Sequence, residues 1–414
     1  MWIARSSARF PANGGTIRTS RRLDWQARPN ALSLLLDEKR AAGAPILDLT
    51  VSNPTRVGIA YPAEAIARAL GDPRAASYEP TPQGLPEARA AVADYYATCG
   101  LTVSPEDLIL TASTSEAYSF LFKLLCDPGD VVLVPHPSYP LFEYLASLET
   151  VRLVPYPLGF DGHWFVDFDA LQKAIDDSGG RARAILLVNP NNPTGSFLKR
   201  EERWRLSELS AARNLPLIVD EVFADYGFDT PDRPRRVASL IDEERATCFS
   251  LSGLSKVVGL PQLKLGWIHV GGPRAERAAL LGRLELVADT YLSVGAPVQL
   301  AARALLGMRD TVGAAIAART KRNLAALQQI VTDTALQVLP VEGGWYATVR
   351  LPAIRTDEQW ALELLRGDGV LVQPGYFYDF DGRAPHVVVS LLPEPAVFDD
   401  GAARMVARVA LLSR

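Results

Sequence analysis

Residues 184–195 read Ala-Ile-Leu-Leu-Val-Asn-Pro-Asn-Asn-Pro-Thr-Gly, a short apolar run followed at once by a turn rich in asparagine and proline. The apolar run predicts a buried strand. The two Asn-Pro pairs predict an irregular turn that directs an amide side chain away from the strand end. Such a strand and turn are typical of an α/β sheet, in which ligands bind at the carboxyl ends of the strands.

Two further polar residues follow strand-like runs downstream. The run Leu217-Ile-Val-Asp220 ends in an acid 28 residues after Asn192, and Lys256 comes 36 residues later in the small-residue run Ser250-Leu-Ser-Gly-Leu-Ser-Lys256. The chain has seven lysines beside 36 arginines, so a lysine in such a loop is a selective observation. A solvated loop lysine is the simplest alternative. The order of the three residues predicts that they share one site at strand ends.

Short apolar runs alternate with helical patterns from about Thr50 onward, which predicts an α/β fold with a mostly parallel, seven-stranded sheet in a large domain. The strands predicted for this sheet are Leu108–Thr111, Val131–Val134, Val151–Pro155, Ala184–Val188, Leu217–Asp220, Thr247–Ser250 and Trp267–Val270. Strands at Gly343–Leu351 and Val387–Leu392 are predicted for a smaller α+β domain.

The predicted domain organisation has four parts. These are a disordered extension at 1–30, a segment at 31–60 that contributes to the small domain, the large domain at 61–300 and the small C-terminal domain at 301–414. Five arginines precede the first acidic residue, so an organellar transit peptide is the alternative interpretation of the extension.

Composition excludes several classes of function. The 414 residues carry a net charge of -4, so no excess of positive charge is present to bind nucleic acid or anionic lipid. No apolar run approaches the roughly 20 residues of a membrane span, and a cytoplasmic location is expected. The three cysteines lack CxxC spacing and the four histidines are not paired at metal-ligand spacing, so we expect neither a disulfide framework nor a metal site.

The three runs, in this order and spacing, resemble the fold-type-I aminotransferases of class I/II, which depend on pyridoxal phosphate (PLP). The resemblance extends from about Asp48 to Leu392. It implies that Lys256 holds PLP as a Schiff base and then moves a proton as general acid and base. It also implies that Asp220 pairs with the pyridinium nitrogen, whose proton lets PLP act as an electron sink.

The resemblance also implies the remaining cofactor contacts. At the ring, Asn192 donates to the phenolic oxygen, Val222 packs beneath the ring and Tyr139 stacks on the opposite face. The phosphate is bound at a helix start by Ser113, Thr114 and Ser115, with Ser255 or Ser252. Lys264 stands where the family usually has a phosphate-binding arginine, and Tyr78 reaches the phosphate of the neighbouring subunit. The last of these contacts implies a homodimer.

Two positions depart from the family pattern. Phe223 stands where the family usually has a tyrosine that bonds the phenolic oxygen, so one hydrogen bond is lost. Val388 stands where an arginine normally grips the substrate α-carboxylate. Arg56, which follows Asn53 in a segment that normally lines the substrate pocket, is the predicted replacement, and Arg383 is the second candidate.

The expected reaction is the transfer of an amino group between an amino acid and a 2-oxo acid. A PLP fold does not by itself decide the reaction, because lyases and decarboxylases share it. The missing arginine favours a C–S lyase or decarboxylase as the alternative enzyme. A non-catalytic PLP-fold binding protein is the alternative from another class, although Lys256, Asp220 and Asn192 are all present.

Overall fold

The computed structural model describes residues 20–23 and 29–413, so the extension predicted at 1–30 lies largely outside the described residues. In the described part the strands are β1 (Leu47–Asp48), β2 (Leu108–Thr111), β3 (Val131–His136), β4 (Arg152–Phe160), β5 (Trp164–Val166), β6 (Ala182–Val188), β7 (Leu217–Asp220), β8 (Cys248–Gly253), β9 (Gly266–Gly271), β10 (Gln337–Val338), β11 (Tyr346–Arg350), β12 (Val370–Leu371), β13 (Gln373–Pro374) and β14 (His386–Ser390).

The α-helices of the described residues surround these strands. They are α1 (Ala31–Ala41), α2 (Ala63–Leu70), α3 (Pro86–Thr98), α4 (Thr114–Leu125), α5 (Leu141–Leu148), α6 (Phe168–Asp177), α7 (Arg200–Arg213), α8 (Leu254–Val257), α9 (Arg274–Tyr291), α10 (Ala296–Leu300), α11 (Ala302–Leu306), α12 (Val312–Ile330), α13 (Asp357–Asp368) and α14 (Pro395–Leu412).

The large sheet has eight strands within the described residues, in the order β2-β9-β8-β7-β6-β3-β4-β5. Strands β8, β7, β6, β3 and β4 run parallel, while β9 is antiparallel to both of its neighbours. All seven predicted strands are present, and the predicted fold class is confirmed. The eighth strand, β5, pairs with β4 at the edge, and its three residues are too few to give a periodic signal.

The central strands are apolar throughout because both faces of the sheet are buried. Alternate residues of β6 enter different cores: Ala184, Leu186 and Val188 pack with α4 and α5 on one face, and Ile185 and Leu187 pack with α6 and α7 on the other. Strands covered on both faces lack polar alternation, which explains the continuous apolar runs in the sequence.

The small domain contains a four-stranded antiparallel sheet in the order β10-β11-β14-β13. Its core takes side chains from α12, α13 and α14, including Leu327, Trp360 and Met405. The N-terminal segment reaches this region because β1 pairs in parallel with β12. The domain boundaries themselves stay predictions.

Neither a membrane-crossing helix nor a metal cluster occurs in the described part of the chain. Its helices lack the combined length and apolar character needed to cross a bilayer. Its His, Cys, Asp and Glu side chains form no group of three or more that could hold a metal ion.

Candidate active site

A cavity of about 250 Å³ lies at the carboxyl ends of β6, β7 and β8 and extends to the small sheet. Nine residues predicted from the sequence line it: Thr114, Ser115, Tyr139, Asn192, Asp220, Val222, Phe223, Ser255 and Lys256. The three sequence motifs, which are far apart along the chain, therefore meet at one place.

Lys256 lies on the short helix α8, directly after β8. Its Nζ atom is 4.6 Å from the centre of the Trp345 ring and 5.4 Å from that of Phe223. Burial among these groups lowers the pKa of Lys256 to about 8, and the negative charge of Asp220 opposes part of that shift. An amine with this pKa is partly unprotonated near neutral pH and can act as a nucleophile.

Gly253 allows the tight turn that places Lys256. A Cβ atom at this position would lie 2.9 Å from both the Cα atom of Gly266 and the carbonyl oxygen of Leu265. No side chain fits between β8 and β9 at this point. The glycine therefore lets β8 end against β9, so that the following turn carries Lys256 into the cavity.

Asp220 is the last residue of β7 and is buried. Its Oδ2 atom accepts a hydrogen bond from Tyr118 Oη at 2.8 Å, and its Oδ1 atom accepts one from the backbone N–H of Val222 at 3.1 Å. Burial raises the pKa of Asp220, while these hydrogen bonds and Lys256 act in the opposite direction. A carboxylate with two neutral donors in a buried position is suited to a cationic partner.

Asn192 is the asparagine of its turn that faces the cavity. Asn189 is used within the turn, since its side chain donates to the carbonyl of Val237 at 2.9 Å and accepts from the backbone N–H of Leu198. Asn191 donates to Thr194 Oγ1 at 2.9 Å. The buried Oδ1 atoms of Asn191 and Asn192 both lack a hydrogen-bond partner in the described structure, but of the two residues only Asn192 lines the cavity. A polar side chain at the cavity wall with unused hydrogen-bonding capacity fits a site that binds a polar ligand.

The N-terminus of α4 supplies the predicted phosphate site. Ser113 caps this helix, because its Oγ atom accepts a hydrogen bond from the backbone N–H of Glu116 at 3.2 Å. Thr114 and Ser115 follow in the first turn and line the cavity, as does Ser255. Backbone N–H groups and hydroxyls at a helix start favour an anionic group such as a phosphate.

Five predicted residues do not line this cavity, and one of them is Ser113, whose hydroxyl caps α4. Lys264 is exposed beside β9. Tyr78 is 79% exposed and lines a separate cavity of about 340 Å³. The Asn53 side chain accepts hydrogen bonds from the backbone N–H and the hydroxyl of Thr55, and Arg56 is exposed. Within a single chain, therefore, the side chains of Asn53 and Arg56 do not reach the cavity.

The place of the missing arginine is apolar. Val388 is fully buried on β14, and no arginine lines the cavity among the described residues. Arg383 is 89% exposed and pairs with Asp381. Of the two serines predicted as alternatives, Ser255 lines the active-site cavity, whereas Ser252 lines a different cavity.

Several residues of the site, among them the Asp220 partner Tyr118, were not found from the sequence. Tyr118 lies one helical turn after Thr114, so the helical period could have indicated that both face the same way. Ser52, Tyr346, Gln373 and Tyr378 belong to no motif and reach the cavity through the N-terminal segment and the small sheet. Their positions depend on domain packing, for which the local sequence gives no signal.

Comparison with known proteins agrees with this geometry. The family model described as aminotransferase class I and II matches residues 44–386. Among curated proteins, a glutamate-pyruvate aminotransferase AlaA of Haemophilus influenzae is 26% identical over 370 residues, which is 87% of this chain and 89% of that protein. An alanine aminotransferase of Mycobacterium bovis is 28% identical over 368 residues, covering 85% of this chain and 83% of its own length.

Solved structures show the same fold. The alanine aminotransferase from Pyrococcus furiosus superposes with a TM-score of 0.83 at 24% identity, covering 96% of this chain and 100% of that one. An aspartate aminotransferase mutant of Thermus thermophilus gives a TM-score of 0.79 at 22% identity, covering 95% of this chain and 100% of that one. These findings favour the aminotransferase interpretation over a lyase, a decarboxylase or a non-catalytic protein. The chain belongs to the class I and II aminotransferases, and its reaction is the PLP-dependent transfer of an amino group between an amino acid and a 2-oxo acid.

Proposed function

We propose that Lys256 is the residue that holds PLP and moves the proton, and that a small amino acid such as alanine is the amino donor. The observation that carries the proposal is the position of Lys256, whose Nζ atom lies in the same cavity as Asp220 and has a pKa lowered to about 8. PLP, when bound, supplies the sink for the electrons of the Cα–H bond. The residues of the chain supply binding, orientation and proton transfer.

Each contact at the cofactor end has a distinct task in this proposal. Asp220, which Tyr118 holds in place, would pair with the protonated ring nitrogen. Asn192 would donate its amide to the phenolic oxygen. Thr114 and Ser115 would bind the phosphate from the start of α4.

Alanine and glutamate are the first donors to test, because both named curated relatives act on alanine or on glutamate and pyruvate. The experiment mixes the purified holoenzyme with each amino acid and follows the conversion of the cofactor absorption to that of its amino form. Pyruvate or 2-oxoglutarate is then added. We expect the original spectrum to return, and a spectrum that does not return contradicts the proposed transamination.

We also propose that the active unit is a homodimer. Large apolar side chains are exposed on and near α9, namely Leu286, Tyr291 and Leu292, and Tyr78 lies in a loop that forms a cavity with Leu292. Exposed apolar groups of this size are typical of an interface. Sedimentation velocity of the full chain should give twice the mass of 45.0 kDa, and a monomer at micromolar concentration contradicts the proposal. The cytoplasmic location stays a prediction from composition.

A further inference from the structure

Three residues form a row across the small sheet beside the cavity. Thr348 on β11 and Gln373 on β13 are the register partners of Val388 on the strand between them. Directly opposed residues of neighbouring antiparallel strands direct their side chains to the same face. The row therefore places Gln373 next to the valine that stands at the position of the arginine.

The face that this row occupies points towards the cofactor site. Thr348 Oγ1 donates a hydrogen bond to the carbonyl of Pro193, the residue after Asn192, at 3.4 Å. Val388 belongs to the apolar core that contains Phe223 and Trp345, whereas its neighbours on β14 belong to the core of the small domain. The side chain of Gln373 accordingly lines the same cavity as Asn192.

Gln373 is oriented as a donor. It is 7% exposed, and its Oε1 atom accepts a hydrogen bond from Tyr378 Oη, which leaves the amide Nε2 atom to donate. At its small-domain wall, beside the valine, the cavity thus offers one neutral donor, the amide of Gln373.

A neutral donor without a nearby cation suits an uncharged substituent. Lys256 is the single cationic side chain that lines the cavity in the described part of the chain, and the proposed function assigns it to the cofactor. A carboxylate bound beside Gln373 would place its charge where the described cavity wall offers no further cation. An amide or a hydroxyl can accept a hydrogen bond from Gln373 without burying a charge.

We infer that Gln373 is a specificity-determining residue, and that the enzyme binds amino compounds with an uncharged amide or hydroxyl group on Cα as well as it binds α-amino acids. This inference rests on the proposed function and extends it to a substrate class. A neutral donor replaces the usual cation, so the site does not discriminate strongly by charge.

The test measures binding with two probes that cannot lose a Cα proton, 2-methylalanine and its amide. Their dissociation constants are taken from the change in the visible spectrum of the holoenzyme, each corrected for the fraction of free amine. We expect the two constants to agree within about tenfold. Replacing Gln373 by leucine should weaken binding of the amide by about tenfold, the effect of one hydrogen bond in a buried site.

A matched substitution separates this role from a general effect. Gln329 is exposed on α12, and Gln329→Leu should leave both constants unchanged. Gln373→Arg restores a cation and should shift the preference towards the carboxylate by about 10- to 100-fold. If Gln373→Arg does not fold, Tyr378→Phe is the second variant. It removes the hydroxyl that bonds Gln373 Oε1, so the Gln373 side chain is no longer held in its orientation and binding of the amide probe should weaken.

Two results overturn the inference. In the first, the wild-type enzyme binds 2-methylalanine more than about 100-fold tighter than the amide, and Gln373→Leu has the same two dissociation constants. This result would mean that the neighbouring subunit supplies a cation for the carboxylate. The other is the absence of any spectral response to either probe. The transamination test is separate: probe binding as expected, without return of the spectrum by a 2-oxo acid, contradicts the proposed function and leaves the assignment of Gln373 intact.

Discussion

The two walls of the active-site cavity differ in how they are built. One wall consists of residues that end parallel strands of the large sheet, such as Asp220 on β7 and Lys256 after β8. The other consists of residues of the small domain, such as Tyr346 and Gln373. The first wall carries charge, while the second is neutral and partly apolar around the buried Val388.

The two walls therefore suit different tasks, the charged wall cofactor binding and the neutral wall substrate binding. Buried charges are costly unless they have a partner, and a cofactor with a phosphate and a protonated ring provides such partners in a constant arrangement. The neutral wall contacts the part that varies, the substrate. Substitutions on the first wall should therefore remove activity, and those on the second should alter selectivity. The predictions below test the first half of this contrast.

Lys256→Ala should have the largest effect. Because Lys256 supplies both the covalent attachment and the proton transfer, we expect activity to fall by at least about 10⁴-fold while the protein stays folded. Borohydride reduction followed by peptide mapping identifies the labelled lysine. Lys173→Ala, in an exposed ion pair with Asp177, is the matched control and should keep full activity. Label on a lysine other than Lys256 contradicts the assignment.

Asp220→Ala should come next, with a loss on the order of 10³-fold, because a positioned buried charge is removed. Asp220→Asn keeps the shape and one hydrogen-bond acceptor but not the charge, and it should be almost as impaired. Steady-state kinetics at saturating PLP measure both. Activity of the asparagine variant within about tenfold of the wild type would show that the charge at position 220 is not required.

Tyr118→Phe should have an intermediate effect. The tyrosine hydroxyl donates to Asp220 and so favours the charged carboxylate. Its removal should raise the pKa of Asp220 further, so that the carboxylate is protonated at a higher pH. The acid limb of the pH profile of activity should therefore move to higher pH. A hydrogen bond to a charged group contributes about 1.5 kcal/mol, roughly tenfold in activity at acidic pH. An acid limb at the wild-type pH would mean that Tyr118 is only structural.

Phe223→Tyr should have the smallest effect. The centre of the Phe223 ring lies 5.4 Å from the Nζ atom of Lys256, so an added hydroxyl would lie near the residue that would hold the cofactor and could donate to its phenolic oxygen. A hydrogen bond to the deprotonated form lowers a pKa, and we expect the visible chromophore to titrate at a lower pH than in the wild type. Spectral titration measures this, with Phe165→Tyr on the exposed edge strand as the control. An unchanged or raised chromophore pKa places the new hydroxyl elsewhere.

The fold class, the seven principal strands and the charged wall of the cavity all follow from local sequence patterns. The reason is local: each of Asn192, Asp220 and Lys256 follows a continuous apolar strand, and parallel strands direct their carboxyl ends to one edge of the sheet. Strand prediction therefore placed these side chains together before any tertiary contact was known.

The neutral wall, in contrast, depends on contacts between distant parts of the chain. Gln373 lies on a two-residue strand, and its importance depends on lateral pairing with Val388 and on the hydroxyl of Tyr378. The exposure of Arg56 was likewise not evident from its place in the chain. Such contacts join residues that are distant in sequence, and a short strand carries too little periodicity to predict which neighbour it will pair with.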